Sequence, residues 1–399
     1  MNLHSNQTYW PTKNNSLPQF PSLNSNETCE VVIIGGGITG ALIADSFSQA
    51  NIPITVIDKR KIGHGSTSAS TALLQYEIDI PLYKLSQQIG KPKAITAYQL
   101  CAQAISYIDQ RIQTLDSNCN FAYHPSLYFS NISDDPINLK KEFVARQEAG
   151  FDVRYLQSNQ IQNQYHFTAT SAIQSQLAAQ VDPYQLTHAL LESAQKKGAK
   201  IYANTSITNI DTSSNVTLTC QNGNTIYAKK VIFATGYETQ KYLQEKTAKL
   251  LSTYACVTQP LPEKYIWSNR SLLWNTNDPY FYARTTSDNR ILFGGEDIQS
   301  SDDHQRDQKI NSQTQALSQT LSQLFPDIPF KIQYSWAGTF GETTDGLPYI
   351  GISPEWNNAY FALGYGGNGI TFSAIAAQAL LALHQGHAPQ YLDLFRFGR

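Results

Sequence analysis

The 399-residue sequence has little of what marks secreted scaffolds, nucleic-acid binders and membrane proteins. Its five cysteines are an odd number and include no Cys-x-x-Cys pair, so neither a disulfide framework nor a zinc site is indicated. With 29 basic and 31 acidic residues, the composition gives no sign of a surface for nucleic acid. The best apolar segment, 374–383, is shorter than the roughly 18 residues of a membrane span. These absences predict a cytoplasmic protein without a membrane span that binds a small ligand.

The first 28 residues lack a basic start followed by an apolar core, so they do not resemble a secretory signal. They are rich in Asn, Ser and Pro and contain Trp10, which predicts an arm laid over a folded domain. At 41% hydrophobic residues overall, the chain can bury a large core. Its length predicts two domains.

What the sequence does contain is a glycine-rich turn between a strand and a helix. The apolar run 31–34 predicts a buried strand, and a helix is expected over 41–49. Between them, Gly35, Gly37 and Gly40 have the spacing Gly-x-Gly-x-x-Gly. The first glycine permits the tight turn, the second lets the backbone approach phosphates, and the third lets helix and strand pack closely. Exposed N–H groups and the positive end of the helix dipole then favour a pyrophosphate.

An acidic residue follows where a nucleotide ribose is expected. The second apolar run, 54–57, ends at Asp58, whose carboxylate can accept hydrogen bonds from ribose hydroxyls. Strand, turn, helix, strand and acid therefore appear in order at a spacing of about 20 residues, which predicts a dinucleotide site. A later apolar strand, 230–236, ends in small residues that let a loop pass close to a ligand.

The rest of the pattern predicts two insertions that interrupt one parallel sheet. The segments 80–180 and 252–297 are expected to form together a second, mostly antiparallel domain. A helix is expected over 183–197, because Asp182 is a good N-cap and a proline follows it. The apolar spacing within 308–324 predicts a further amphipathic helix.

Two glycine-rich motifs close the chain. Residues 336–351 and 360–370 each end in a glycine-rich turn, and the second runs into a helix expected over 371–384. A second helix N-terminus ringed by glycine can hold another polar part of a cofactor, such as the negative edge of a flavin ring. A dinucleotide that contacts two glycine-ringed helix N-termini, one at its pyrophosphate and one at its ring, is more like FAD than NAD. Either motif alone is equally explained by tight turns between packed elements.

Taken together, five motifs in order along the chain resemble the D-amino-acid-oxidase-like (DAO) family of FAD-dependent oxidoreductases. They lie at 35–40, Asp58, 234–236, 345–348 and 364–369. The resemblance implies an α/β fold: a Rossmann-like, glutathione-reductase-like FAD-binding domain, interrupted in sequence, plus an α+β substrate domain with an antiparallel sheet. The implied division is an N-terminal arm at 1–28, a FAD-binding domain at 29–80, 181–240 and 331–399, and a substrate-binding domain at 81–180 and 241–330.

The same resemblance implies which residues hold FAD. The segment 66–70 is similar to the part of the family that passes along the isoalloxazine ring, where small and hydroxylated residues let backbone atoms reach the ring. A polar loop without a ligand is the alternative. The implied FAD-binding residues are Gly35, Gly37, Ile38, Thr39, Gly40, Asp58, Lys59, Ser66, Thr67, Ser68, Ala69, Ser70, Ile207, Ala234, Thr235, Gly236, Gly338, Gly364, Gly366, Gly367, Asn368, Gly369 and Ile370. No metal site is expected, because the histidines show no metal-binding spacing.

Two departures from the family pattern narrow the implied substrate. Glycine oxidase-like members carry an arginine before the Asp-Gly-x-Pro motif that clamps a substrate carboxylate, and Phe340 stands at that position here. Sarcosine oxidase-like members carry a cysteine that attaches the flavin covalently, and Gly338 stands there, so FAD is expected to bind non-covalently. Both changes favour the gamma-glutamylputrescine oxidase-like branch, with an amine or N-substituted amine as substrate.

The implied reaction moves a hydride from the carbon beside an amine nitrogen to flavin N5 and leaves an imine, which water hydrolyses to a carbonyl compound. Core packing is an equal alternative for each aromatic residue chosen for the substrate site. Arg284 either binds a distal substrate carboxylate or pairs with a nearby acid. Leu292 stands where some members carry a lysine that helps oxygen react, so this position leaves the electron acceptor open. O2 stays the favoured acceptor, with a quinone or carrier protein as alternatives. The residues expected at the substrate are Tyr254, Tyr282, Arg284, Trp336 and Phe340.

Two other functions fit the same residues. The first is a D-amino-acid, glycine or sarcosine-type oxidase in which Arg284 replaces the missing clamp. The second is a flavin-binding module without turnover. A comparison of amines with amino acids separates the first from the favoured function, and flavin reduction by any amine excludes the second.

Overall fold

The part of the chain that the structure describes folds around three β-sheets, one largely parallel, one small and one large. A computed structural model describes residues 2–131, 136–363 and 365–399. Within these residues the strands are β1 (His4–Ser5), β2 (Glu27–Thr28), β3 (Val31–Ile34), β4 (Ile54–Ile57), β5 (Leu73–Gln75), β6 (Ala122–Ser130), β7 (Val153–Gln157), β8 (Ser171–Gln180), β9 (Lys200–Tyr202), β10 (Ile207–Asp211), β11 (Val216–Cys220), β12 (Thr225–Ala228), β13 (Lys230–Phe233), β14 (Lys249–Thr258), β15 (Leu272–Asn275), β16 (Phe281–Thr285), β17 (Ile291–Ile298), β18 (Ile332–Glu342), β19 (Tyr349–Gly351) and β20 (Ala359–Leu363).

The helices described in these same residues lie on and between the sheets. They are α1 (Tyr9–Lys13), α2 (Ile38–Gln49), α3 (Ser66–Ala69), α4 (Leu82–Ile89), α5 (Lys91–Ile112), α6 (Pro136–Glu148), α7 (Ser158–Tyr165), α8 (Pro183–Lys196), α9 (Asp303–Gln308), α10 (Ile310–Leu324) and α11 (Gly369–His384). Short 3-10 turns lie at Gly236–Tyr242, Glu263–Tyr265, Ser268–Arg270, Gly366–Asn368 and Gln390–Phe395.

The six-stranded sheet has the order β19–β20–β13–β3–β4–β9 and is parallel except where β19 pairs with β20. The central strands β3 and β4 are buried at every residue because both faces of the sheet are covered. Val31 and Ile33 face a core shared with α2, α8 and α11. Val32 and Ile34 face the four-stranded sheet β10–β11–β12–β2. The expected Rossmann-like fold is confirmed.

The ten-stranded sheet has the order β1–β18–β14–β17–β16–β15–β6–β8–β5, and β7 also pairs with β8. Its pairings are antiparallel except for that of β15 with β6. α10 packs on β14, β17 and β18. It buries Ile310, Leu317, Leu321 and Leu324, the apolar positions from which the amphipathic helix was predicted.

Two strands of this large sheet come from segments assigned in the sequence to the FAD-binding domain. β5 belongs to 29–80 and β18 to 331–399, yet both pair in the ten-stranded sheet. The arm adds β1 to the outer edge of β18. The chain therefore passes from one sheet to the other at β5 and β18. The exact domain division remains a prediction.

The segment Gly366–His384, which contains α11, is long and apolar enough to cross a membrane by length and composition. Most of this segment is buried in the protein, and α11 packs against α2 and α5. A core helix of a globular protein can have the same length and apolar composition. Core packing therefore accounts for the apolar composition of this segment.

Candidate active site

One cavity brings most of the expected site residues together, between the parallel sheet and the large sheet. The expected residues on its wall are Gly35, Gly37, Ile38, Thr39, Asp58, Lys59, Ser66, Thr67, Ala69, Ser70, Ile207, Ala234, Thr235, Gly236, Tyr282, Gly338, Phe340, Gly366, Gly367, Asn368, Gly369 and Ile370. Those that do not line it are Gly40, Ser68, Tyr254, Arg284 and Trp336. Gly364 lies outside the described residues.

The turn after β3 presents bare peptide groups at the start of α2. Gly35 has a φ of +116°, and an added Cβ would overlap the carbonyl oxygen of Ala234, so glycine is required there. At Gly40 a Cβ would overlap the carbonyl oxygen of Gly35, so Gly40 serves packing rather than contact with a ligand. Gly37 has ordinary backbone angles, and a Cβ would meet only Thr67 Oγ1, at 3.0 Å. Its missing side chain leaves open space at the helix N-terminus, which fits the diphosphate of FAD.

The acid at the end of β4 is held beside this turn. Asp58 accepts hydrogen bonds from the N–H groups of Gly36 and Arg60, each at 2.8 Å. Burial raises the pKa of Asp58, and these two N–H donors oppose that shift. Lys59 Nζ and Arg60 Nη1 both donate to Glu238, at 2.6 and 2.9 Å. Asp58 therefore lies at the expected adenosine end of the cavity, where Glu238, which the motifs did not reveal, pairs the two cations.

The segment expected along the isoalloxazine ring is fixed by two indole groups. Trp10 Nε1 donates to the carbonyl oxygen of Ser70 at 2.7 Å, and Trp336 Nε1 donates to that of Ala69 at 2.9 Å. The hydroxyl of Ser68 is buried and donates to a carbonyl within the same segment. Trp336 thus supports the cavity wall from behind and does not line it.

The N-terminal arm forms part of the cavity wall. Leu3 lines the cavity, and its carbonyl oxygen accepts a hydrogen bond from Thr339 N at 2.8 Å. The buried guanidinium of Arg306 holds the arm by donating to Asn2 O and to Ser5 Oγ, each at 2.7 Å. The arm itself was predicted from composition. Its contribution to the site was not, because one leucine among polar residues carries no recognisable pattern.

The turn before α11 packs closely beneath a carboxylate that the motifs also did not reveal. A Cβ on Gly366 or Gly367 would come within 2.5 or 2.6 Å of the Asp79 carboxylate, so both positions require glycine. Gly367 N donates to Asp79 Oδ2 at 2.8 Å. Burial raises the pKa of Asp79, which faces the cavity, and this N–H bond opposes the shift. Asn368 Nδ2 donates to Gln75 O at 3.1 Å, which ties the turn to β5.

Aromatic side chains line the end of the cavity beneath the large sheet. Tyr282 and Phe340, both expected at the substrate, lie on this wall with Trp274 and Tyr280. Trp274 and Tyr282 are directly paired neighbours on β15 and β16. Among the residues that the structure describes, no group of three or more His, Cys, Asp or Glu could hold a metal ion.

Sheet geometry explains why two other expected residues do not reach the cavity. Side chains alternate along β14, so Thr253 lines the cavity and Tyr254 faces the opposite side, where its hydroxyl donates to a backbone carbonyl. Arg284 shares a face with Tyr282, but its guanidinium lies 5.2 Å from the ring of Trp10 in the arm. The structure therefore brings Tyr282 and Phe340 to the cavity wall, and Tyr254 and Arg284 elsewhere.

Comparisons with known proteins find a matching family and relatives over most of the chain. A family model described as FAD dependent oxidoreductase (DAO) matches residues 30–383. Gamma-glutamylputrescine oxidoreductase from Escherichia coli K12 is 24% identical over 96% of this chain and 90% of its own length. Glycine oxidase from Geobacillus kaustophilus is 23% identical over 87% of this chain and 90% of its own length. The crystal structure of glycine oxidase from that organism superposes with a TM-score of 0.77 at 21% identity, covering 94% of this chain and 99% of the other.

Proposed function

Because the chain belongs to the DAO family of FAD-dependent oxidoreductases, we propose that it oxidises a C–N bond of an amine or N-substituted amine. Bound FAD supplies a hydride acceptor at its N5 atom. The substrate leaves as an imine, which water hydrolyses to a carbonyl compound. We propose non-covalent attachment of FAD, because Gly338 offers no side chain to link it. The proposed acceptor is O2, giving H2O2, with a quinone or carrier protein as the alternative.

The observation that carries the proposal is the distribution of charge along the cavity. The described lining residues include three cations, Lys59, Arg60 and Lys241, and all three belong to the adenosine end. The substrate end has Phe340 in place of an arginine clamp and the carboxylate of Asp79. A substrate carboxylate about 5 Å from an ionised Asp79 would be repelled by roughly 3 kcal/mol at an effective dielectric constant of about 20. An ammonium group would be attracted by a similar amount.

The residues at this end suit the handling of an amine. Hydride transfer requires the neutral amine, so an arriving ammonium group must first lose a proton. We assign Asp79 as the proton acceptor, since its pKa is raised by burial and its carboxylate faces the cavity. Tyr282 and Phe340 provide aromatic walls that orient the C–H bond and exclude water.

The relatives include both substrate classes, since a gamma-glutamylputrescine oxidoreductase and a glycine oxidase both match the chain. The choice of an amine therefore depends on the residues of the cavity. The amino-acid alternative needs Arg284 to reach the substrate. Its Nη2 instead donates to Val181 O at 3.0 Å, beneath the arm. We also propose a cytoplasmic location, supported by five free cysteines, four of which are buried.

The test compares matched ligands that differ by one carboxylate. Anaerobic flavin reduction is followed by absorbance with n-butylamine and with D- and L-norvaline, its carboxylated counterparts. We expect n-butylamine to bleach the flavin of the wild type and norvaline not to. Phe340→Arg should reverse this preference by supplying a clamp, whereas the control Phe340→Leu should not. Bleaching of the wild type by norvaline at least as fast as by n-butylamine would contradict the proposal. Bleaching by dithionite alone would support a flavin module without turnover.

A further inference from the structure

A group of polar side chains on the cavity wall has hydrogen-bonding capacity that the protein does not use. Gln75 Nε2, Glu77 Oε2 and Trp274 Nε1 are buried and have no hydrogen-bond partner among the described residues. All three side chains belong to residues that line the cavity. Buried polar atoms are normally paired, so each unpaired atom calls for a partner that the chain itself does not supply.

The backbone brings these groups to one wall. Side chains alternate from β5 onward, so Leu73, Gln75 and Glu77 line the cavity while Leu74 and Tyr76 enter the core. Asn368 Nδ2 donates to the carbonyl oxygen of Glu77 at 2.8 Å, which holds this wall next to the flavin-side turn. Trp274 is the neighbour of Tyr282 across the β15–β16 pairing. The group therefore adjoins the proposed amine-binding end.

The charges behind this wall are unbalanced. Glu77 is 4% exposed, and its Oε1 atom accepts hydrogen bonds from Ser126 Oγ at 2.6 Å and from Arg146 Nη1 at 3.2 Å. Arg146 also donates to Glu142 at 2.6 Å, so one guanidinium serves two buried carboxylates. Glu77 and Glu142 therefore share one cation, and Glu77 Oε2 remains without a hydrogen-bond partner among the described residues. A ligand N–H donor would satisfy this buried atom.

We propose that Gln75, Glu77 and Trp274 form a subsite for the distal polar group of the amine substrate. The wall offers two donors, Gln75 Nε2 and Trp274 Nε1, and one acceptor, Glu77 Oε2. The complementary ligand group has an N–H donor together with carbonyl or carboxylate oxygen, which describes a carboxamide or an amino-acid head group. The substrate is therefore a chain with an amine at one end and such a group at the other. This inference rests on the proposed function.

The test uses three amines of similar length under anaerobic conditions: n-hexylamine with an apolar tail, N-acetylputrescine with an amide tail, and L-lysine with an amino-acid tail. The apparent Kd is obtained from the concentration dependence of flavin reduction. Wild type should bind at least one of the two polar-tailed amines at least tenfold more tightly than n-hexylamine. The polar-tailed amine that binds more tightly identifies the distal group, either an amide or an amino-acid head group.

Trp274→Phe removes one donor and keeps the ring, and Glu77→Gln replaces the acceptor. Each should reduce the preference for the polar tail by fivefold or more and leave the Kd of n-hexylamine within twofold. Trp267→Phe is the matched control, because its indole N–H donates to Ser271 O at 2.8 Å and its ring does not line the cavity.

No preference for a polar tail in the wild type would overturn the subsite and leave amine oxidation standing. Equal losses for polar and apolar tails in Trp274→Phe would overturn it as well, since those losses indicate a general effect on the wall. If no amine reduces the flavin, the proposed function fails. The subsite is then tested by the shift of flavin absorbance on binding N-acetylputrescine, with n-hexylamine as the reference. An equal Kd for the two ligands would overturn it.

Discussion

Replacing Gly37 with alanine should separate cofactor binding from folding. The backbone at Gly37 has a φ of −85° and a ψ of −172°, which alanine adopts without strain. The added Cβ meets only Thr67 Oγ1, at 3.0 Å, and a shift of a few tenths of an ångström relieves that contact. The free energy of unfolding of the apoprotein should therefore change by less than about 1 kcal/mol. The same methyl group enters the space at the N-terminus of α2 that the diphosphate is expected to fill.

The expected loss of affinity follows from the hydrogen bonds that the methyl group displaces. A bond from an N–H group to a charged oxygen contributes about 1.5–3 kcal/mol, so losing one raises the Kd of FAD by roughly tenfold to a hundredfold. Quenching of flavin fluorescence on titration into stripped apoprotein measures this Kd, and urea unfolding measures stability. The control is Gly150→Ala, where φ is +86° and a Cβ meets nothing within 4 Å, so stability falls and FAD affinity does not. Wild-type affinity in Gly37→Ala would refute the reasoning.

Three further predictions follow from the site. Leu3→Ala removes a side chain from the cavity wall, so the Kd of FAD should rise by several-fold in the same titration, whereas Leu17→Ala, in the same arm but off the wall, should not change it. Burial raises the pKa of Asp297 from 3.8 to about 7, so the folded state holds a proton that the unfolded chain releases, and the free energy of unfolding should fall between about pH 4 and pH 7. Asp297→Asn should reduce this dependence of the free energy of unfolding on pH, measured by urea unfolding. An unchanged dependence would show that other groups cause it. Acid precipitation should leave the flavin in the supernatant, and a yellow pellet would indicate a covalent link.

The parts of the fold that repeat a strict local pattern could be predicted from the sequence. The strands 31–34 and 54–57 are apolar except for Thr55, because the sheet is covered on both faces, and the structure has them at those residues. Asp182 caps α8 by accepting from the N–H groups of Tyr184 and Gln185, at 3.1 and 2.9 Å, as its position before a proline indicated.

The residues that complete the site could not be predicted in the same way, because they depend on long-range packing. Asp79 faces the cavity only because Gly366 and Gly367, almost 290 residues later, pack beneath it. Tyr254 was expected at the substrate, but the register of β14 assigns that face to Thr253. A one-residue error in the assignment moves every side chain to the opposite face of the strand, and the sequence of β14 does not distinguish its faces because both are largely buried.

The most direct test of the account is a crystal structure of the FAD complex, reduced with dithionite to prevent turnover and soaked with n-butylamine. The account predicts an ammonium group within hydrogen-bond distance of the Asp79 carboxylate and the adjacent carbon facing flavin N5, between Tyr282 and Phe340. An amine bound elsewhere, or norvaline seated in the same crystals with its carboxylate at Phe340, would contradict it.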